Sequence, residues 1–206
     1  MSKVKAKVKE DKEKPKREKQ PRINEKELPT VRGALGRIGK TKTTPATLII
    51  VASTITRHSP DEVWKVWAEL EKWPAWSQPL HASTRWIEKR DWEVGAKFQQ
   101  VLNWGFPFGK STSTDTVMEV NPGQSVSWWK NVKGVESCHI WFFEPLPDGG
   151  TRIVKTEVFI GLSIFLGRLF VKRRWKAMFQ SAVDGLARAV DRQTQAAGTP
   201  STAISS

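Results

Sequence analysis

The chain has no tyrosine, a single cysteine and three histidines in 206 residues, and each scarcity removes a class of chemistry. Without tyrosine there is no phenolic acid catalysis. Cys138 has no partner for an internal disulfide, and His58, His81 and His139 share no metal-ligand spacing, so neither a metal nor a cofactor is expected. No glycine-rich phosphate loop leads from a strand into a helix. No apolar run reaches membrane-spanning length and no secretory leader is visible, which predicts a reducing, cytoplasmic setting. Residues 1–45 contain none of the eleven tryptophans or nine phenylalanines.

That same stretch holds fifteen Lys and Arg against six acids, and so carries +9 of the formal +13. Too few apolar side chains are present to offset the entropy of ordering it, which predicts a disordered basic arm over residues 1–45. Two readings of the arm stand open: a solubilising tail without a partner, or electrostatic docking to nucleic acid or to an anionic membrane surface, the latter worth about 1 kcal/mol per basic residue near the lipid. Nucleic-acid recognition by the folded part is not expected, because the basic charge lies outside it and no recognition motif appears. Residues 194–206 read as a second, short flexible tail, and nothing in the text fixes the oligomeric state.

Between the tails, residues 46–193 read as one α+β domain. Leu48 to Thr56 alternates as a strand does. Ser59-Pro60-Asp61-Glu62 then gives a cap, a first-position proline and two acids at a positive helix end. Val63, Trp64, Trp67 and Leu70 share one face, predicting about four helical turns before Trp73-Pro74 turns the chain out. Six more strands are placed near Ala82–Lys89, Lys97–Trp104, Ser111–Val120, Ser125–Asn131, Glu136–Glu144 and Thr151–Ile160. Short turns, among them Phe106 to Gly109, Asn121 to Gly123, Lys133-Gly134 and Pro147 to Gly150, make the sheet an antiparallel meander. From Leu162 the period becomes helical for roughly thirty residues.

A curved sheet of about seven strands needs its concave face covered, and the terminal helix is the only large element able to do so. A bent sheet and a straight helix diverge away from their line of contact, which favours an apolar hollow between them. The competing expectation is that the tryptophans fill that space as ordinary core.

In this element order the chain resembles the helix-grip superfamily of START-like domains, birch-pollen-allergen-like proteins and polyketide cyclase/dehydrases. The resemblance rests on SPDEVW from Ser59 with WPAW from Trp73, on NPGQSVSW from Asn121, and on HIWFFEP from His139 followed by TRIVKTEVFIG from Thr151. The last pair is similar to small SRPBCC-domain proteins. The resemblance implies a START-like fold and a pocket for a hydrophobic small molecule such as a lipid, quinone or polyketide. It does not choose between carriage and catalysis.

Pairing the last hairpin about Asp148 sets His139 opposite Glu157, with Trp141 and Phe143 sharing the histidine face and Ile153, Lys155 and Phe159 the glutamate face. The carboxylate is expected to favour imidazolium, giving either a polar anchor for a ligand or an acid–base pair for cyclisation or dehydration. Binding without catalysis is the first reading, and a cyclase or dehydratase using His139 and Glu157 the second. Besides that pair, the expected pocket residues are Trp104, Trp128, Trp141 and Phe159 from the strands and Phe165, Trp175 and Phe179 from the helix. Cys138 faces the opposite side from His139, which argues against an activated thiol. Phe170 with Lys172, Arg173 and Arg174 forms a candidate membrane or partner contact, or else the solvated basic face of a core helix.

Overall fold

The computed structural model describes residues 29–37, 39–40, 43–88, 91–106, 109–132 and 134–198. The arm before residue 29, the tail after residue 198 and the turn residues Pro107, Phe108 and Lys133 lie outside the described residues, as does the expected strand end at Lys89.

Seven antiparallel strands make one sheet: β1 (Thr47–Thr56), β2 (His81–Trp86), β3 (Lys97–Gly105), β4 (Gly109–Asn121), β5 (Ser125–Val132), β6 (Val135–Pro145) and β7 (Thr151–Ile160). Their order is β1-β7-β6-β5-β4-β3-β2, a meander with the first strand returned beside the last. The sheet curls into a half-barrel around the terminal helix, α4 (Leu162–Gly198), as a helix-grip fold requires. Phe179, Ala182, Val183, Leu186 and Val190 bury the inner face of that helix.

Two boundaries differ from the sequence-based expectation. Within the stretch expected to be unstructured, Pro29–Arg37 forms a helix, α1. Its Ala34 and Leu35 are buried on the outer face of the sheet against Ile49, Cys138, Ile140 and Val158. Nine residues make a marginal helix in water, so its stability comes from covering those apolar side chains. At the other end, α4 continues to Gly198, past the expected limit at residue 193.

The first domain helix is also shorter than expected. It runs as α2 (Pro60–Trp67), started by a reciprocal cap in which Ser59 accepts from the Glu62 amide and the Glu62 carboxylate accepts from the Ser59 amide. Ala68 ends it, and a 3₁₀ turn (Leu70–Lys72) leads into the single turn α3 (Trp73–Trp76). Tryptophan indoles explain the early stop. Trp73 Nε1 donates to the Trp67 carbonyl at 2.6 Å and Trp92 Nε1 to the Ala68 carbonyl at 2.8 Å, satisfying acceptors that a continuing helix would have used itself. Pro74 does not expel the chain; it sits in the first turn of α3, where its missing N–H costs nothing.

The α3 corner is locked to α4 by close backbone approach. Ser181 Oγ donates to the Gln78 carbonyl, and a Cβ built on Gly185 would collide with the Trp76 carbonyl oxygen. Gly185→Ala is therefore expected to destabilise the protein by about 2 kcal/mol, despite the better helix propensity of alanine. Urea unfolding measures it, and an unchanged midpoint would contradict this packing.

Candidate ligand-binding site

The concave face is divided into two halves of opposite character. Toward α2 and α3 it is packed solid: Trp67, Trp73, Trp92, Trp128, Phe98 and Phe143 meet with ring centroids 4.4 to 6.3 Å apart. Toward the first turns of α4 it opens into a cavity of about 560 Å³, a volume suited to a small amphiphile. The apolar wall includes Leu102, Trp104, Phe159, Ile164, Val171 and Trp175. The indoles of Trp104 and Trp175 lie 4.5 Å apart, and Trp104 Nε1 donates to Ser111 Oγ.

A polar strip crosses the sheet side of the cavity, between Leu102 of β3 and Phe159 of β7. Ser111 and Ser113 of β4, Lys130 of β5 and Ser137 of β6 line the cavity, and Lys130 and Ser137 are cross-strand partners. Immediately behind them lies Glu157 of β7. Its Oε1 is 3.2 Å from Lys130 Nζ and accepts from Ser137 Oγ at 3.0 Å, while its Oε2 is 3.1 Å from His139 Nδ1. Asp115 accepts from Ser113 Oγ and Gln100 Nε2 and lies 3.9 Å from Lys130 Nζ. The network continues from Gln100 to His81 and Ser77, spanning most of the sheet.

Charge in this wall is set by burial against pairing. Burial alone would raise the Glu157 carboxyl, but the Lys130 ammonium, followed by His139, holds it well below the usual carboxylate range. Burial would likewise depress Lys130, and Glu157 with Asp115 outweigh it and raise the group. For Asp115 burial wins over Lys130, and the carboxyl is raised. Neither contact of Lys130 has hydrogen-bond alignment, so its buried Nζ is held by charge and keeps unused donors beside the cavity.

The predicted register is observed, with His139 opposite Glu157 and Glu144 opposite Arg152. Burial works against the expected imidazolium, pulling His139 down to about 4 against the opposing pull of Glu157, which favours the neutral ring at pH 7. It is sandwiched in the aromatic half, 4.4 Å from the Trp128 ring and 5.8 Å from that of Phe179, and does not line the cavity.

Of the other residues expected in the pocket, Trp104, Phe159 and Trp175 line it. Trp128, Trp141 and Phe179 do not, because the solid half of the bowl consumes them as core. Phe165 faces outward at 44 % exposure. Glu157 reaches the cavity only through Lys130 and Ser137. In the candidate membrane contact, Phe170, Lys172, Arg173 and Arg174 are all exposed, and Arg174 also donates from Nη1 to the Phe106 carbonyl at 2.7 Å and ties α4 to the β3–β4 turn.

Sequence reasoning missed Lys130 and the serines. Their signal was the period-two run Ser111, Ser113, Asp115, small polar residues on strand positions that share one face. Among the described residues no cluster of histidine, cysteine and acids is placed to hold a metal ion.

Comparison with known proteins agrees with the fold. Among curated proteins none matches the sequence. The aromatase/cyclase ZhuI from Streptomyces sp. R1128 superposes with a TM-score of 0.60 at 13 % identity, over 75 % of this chain and 99 % of that one. A protein from Thermus thermophilus gives 0.59 at 17 %, over 74 % and 100 %. Norcoclaurine synthase from Thalictrum flavum gives 0.56 at 13 %, over 74 % and 99 %. At such identities these likenesses speak for the fold alone. The family model described as polyketide cyclase / dehydrase and lipid transport matches residues 48–191, and the chain belongs to that family.

Proposed function

We propose that the protein is a noncatalytic binder and carrier of a small amphiphile, of the lipid, quinone or polyketide kind, held between the sheet and the first half of α4. The observation that carries this reading is a cavity of about 560 Å³ with apolar side chains from sheet and helix and a polar strip across its sheet side. The apolar body of a ligand gains roughly 25 cal/mol per Å² by leaving water. Its polar end faces Lys130. The ammonium charge is already matched by Glu157, so a neutral carbonyl or hydroxyl oxygen is a better partner than a second carboxylate.

The likeness to an aromatase/cyclase suggests the second reading, cyclisation or dehydration with His139 and Glu157 as acid and base. It is not adopted, because a ring closed in by Trp128 and Phe179 does not touch the cavity, and burial disfavours the imidazolium that would act as the acid.

Gly167 lines the cavity, and a Cβ there meets no atom within 4 Å. Gly167→Leu is therefore expected to fill the cavity while improving the helix. Binding of a short-chain quinone, followed by quenching of tryptophan emission, should weaken about tenfold to a hundredfold, the effect of 1–3 kcal/mol of overpacking. Because leucine is a better helix former than glycine, loss of folding does not explain such a result. Equal quinone affinity in both proteins would refute the cavity as the site.

A further inference from the structure

The helix that roofs the cavity is apolar on both sides. Ile164, Gly167, Val171 and Trp175 face inward, while Leu162, Leu166, Leu169 and Phe170 face water, Leu169 at 86 % and Phe170 at 85 % exposure. Phe106, 87 % exposed, joins the same end of the molecule through the Arg174 contact to its backbone. Single exposed apolar residues are ordinary, but a cluster of this size marks an interaction surface.

We propose that this end docks on an anionic lipid bilayer. The inference rests on the carrier reading and names the surface with which the cavity exchanges its ligand. Charge selects the occupant. Exposed Lys110, Lys172 and Arg173 rim the patch, and no acidic residue occurs from Leu162 to Trp175. A second copy of the chain would bring the same cations against one another across a two-fold contact, at +13 per chain, whereas phosphate headgroups complement them. No described helix is long and apolar enough to cross a membrane, so the contact is with the surface: Leu166, Leu169 and Phe170 enter the acyl boundary, and the cations stay among the headgroups. Ile164, Gly167 and Val171, on the reverse of the same turns, then place the cavity directly behind the lipid contact.

The test is co-sedimentation of the full chain with phosphatidylcholine vesicles, with and without phosphatidylglycerol, for the wild type and for Leu169→Ser/Phe170→Ser. Wild-type binding should require the anionic lipid, and the double variant should lose at least about tenfold in vesicle affinity, since two large apolar groups no longer insert. Unchanged vesicle binding by the double variant would overturn the proposal and leave the basic arm as the anchor. A wild-type dimer by light scattering that the double variant dissolves would overturn it in favour of self-association. Quinone binding in bulk solution separates the two readings. The double variant should retain it, and Gly167→Leu should lose it while still binding vesicles.

Discussion

Replacing Lys155 with methionine is expected to stabilise the folded protein by about 3 kcal/mol at pH 7 or below. Lys155 is fully buried, no hydrogen bond reaches its Nζ, and its ammonium lies 4.9 Å from the Trp141 ring centre and 4.4 Å from that of Phe179. Burial, reinforced by Lys130 and opposed by Glu157, lowers the group from 10.5 to about 7. At about 1.36 kcal/mol per unit, keeping this cation costs roughly 5 kcal/mol, and two ring contacts return on the order of 2 kcal/mol. Methionine fills the same space without a charge. The sign of the pH effect follows from the lowered value: between about pH 7 and pH 10.5 the unfolded chain binds more protons, so wild-type stability rises with pH across that window. Denaturant titrations at several pH values should show this rise in the wild type and its loss in Lys155→Met. Destabilisation of the variant at pH 7 would mean that the ammonium has favourable partners this geometry lacks.

Glu157→Gln is expected to act in the opposite direction, costing about 3–5 kcal/mol, because removing one member of a buried pair strands the other. Glutamine would leave the Lys130 and Lys155 ammoniums in the same wall with Asp115, 3.9 Å from Lys130, as the remaining carboxylate near them. Because the folded-state value of Glu157 is depressed, its stabilisation is complete above the unfolded value near 4.5 and is lost as pH falls toward the folded one. The variant should therefore be less stable at pH 7 and lose less stability on acidification than the wild type. Removing Lys130 as well, in Glu157→Gln/Lys130→Met, should recover most of the loss, as coupled neighbours do. A single variant within about 1 kcal/mol of the wild type at pH 7 would show that the pair contributes little.

Both effects arise in a wall that the sequence disclosed unevenly. The alternation of the last two strands and a turn centred on Asp148 determine which residues face each other, which is why the pairing of His139 with Glu157 could be read without coordinates. Period and turn chemistry likewise identify the meander and the terminal helix that grips it. Ionisation could not be read the same way. Sequence gives the neighbour of His139 but not the depth of its burial, and burial works against the imidazolium. Aromatic residues were equally ambiguous, because tryptophan at an inward strand position packs a core as readily as it lines a pocket. Trp104 and Trp128 lie on inward positions of neighbouring parts of the sheet, yet only Trp104 borders open space. What separates them is the α2–α3 corner, whose indoles fill one half of the bowl and leave the serine-lined half open. Lys130 was missed for a related reason: a lysine on a strand usually faces water, and only the carboxylates of two other strands make its inward orientation tolerable. The α1 helix carries too short an apolar stretch, Ala34-Leu35, to stand out within a basic arm.

The unusual cost of this interior, a lysine held against the Trp141 and Phe179 rings, falls in the solid half of the bowl, beside the half that opens to the proposed ligand. Its most direct test is native mass spectrometry of the full chain purified from its own cells, alongside Gly167→Leu prepared identically. An organic species bound one to one in the wild type and missing from the variant is the predicted result. Identical spectra for the two proteins, each showing only the mass of the chain, would contradict the claim that the space behind α4 is a binding site.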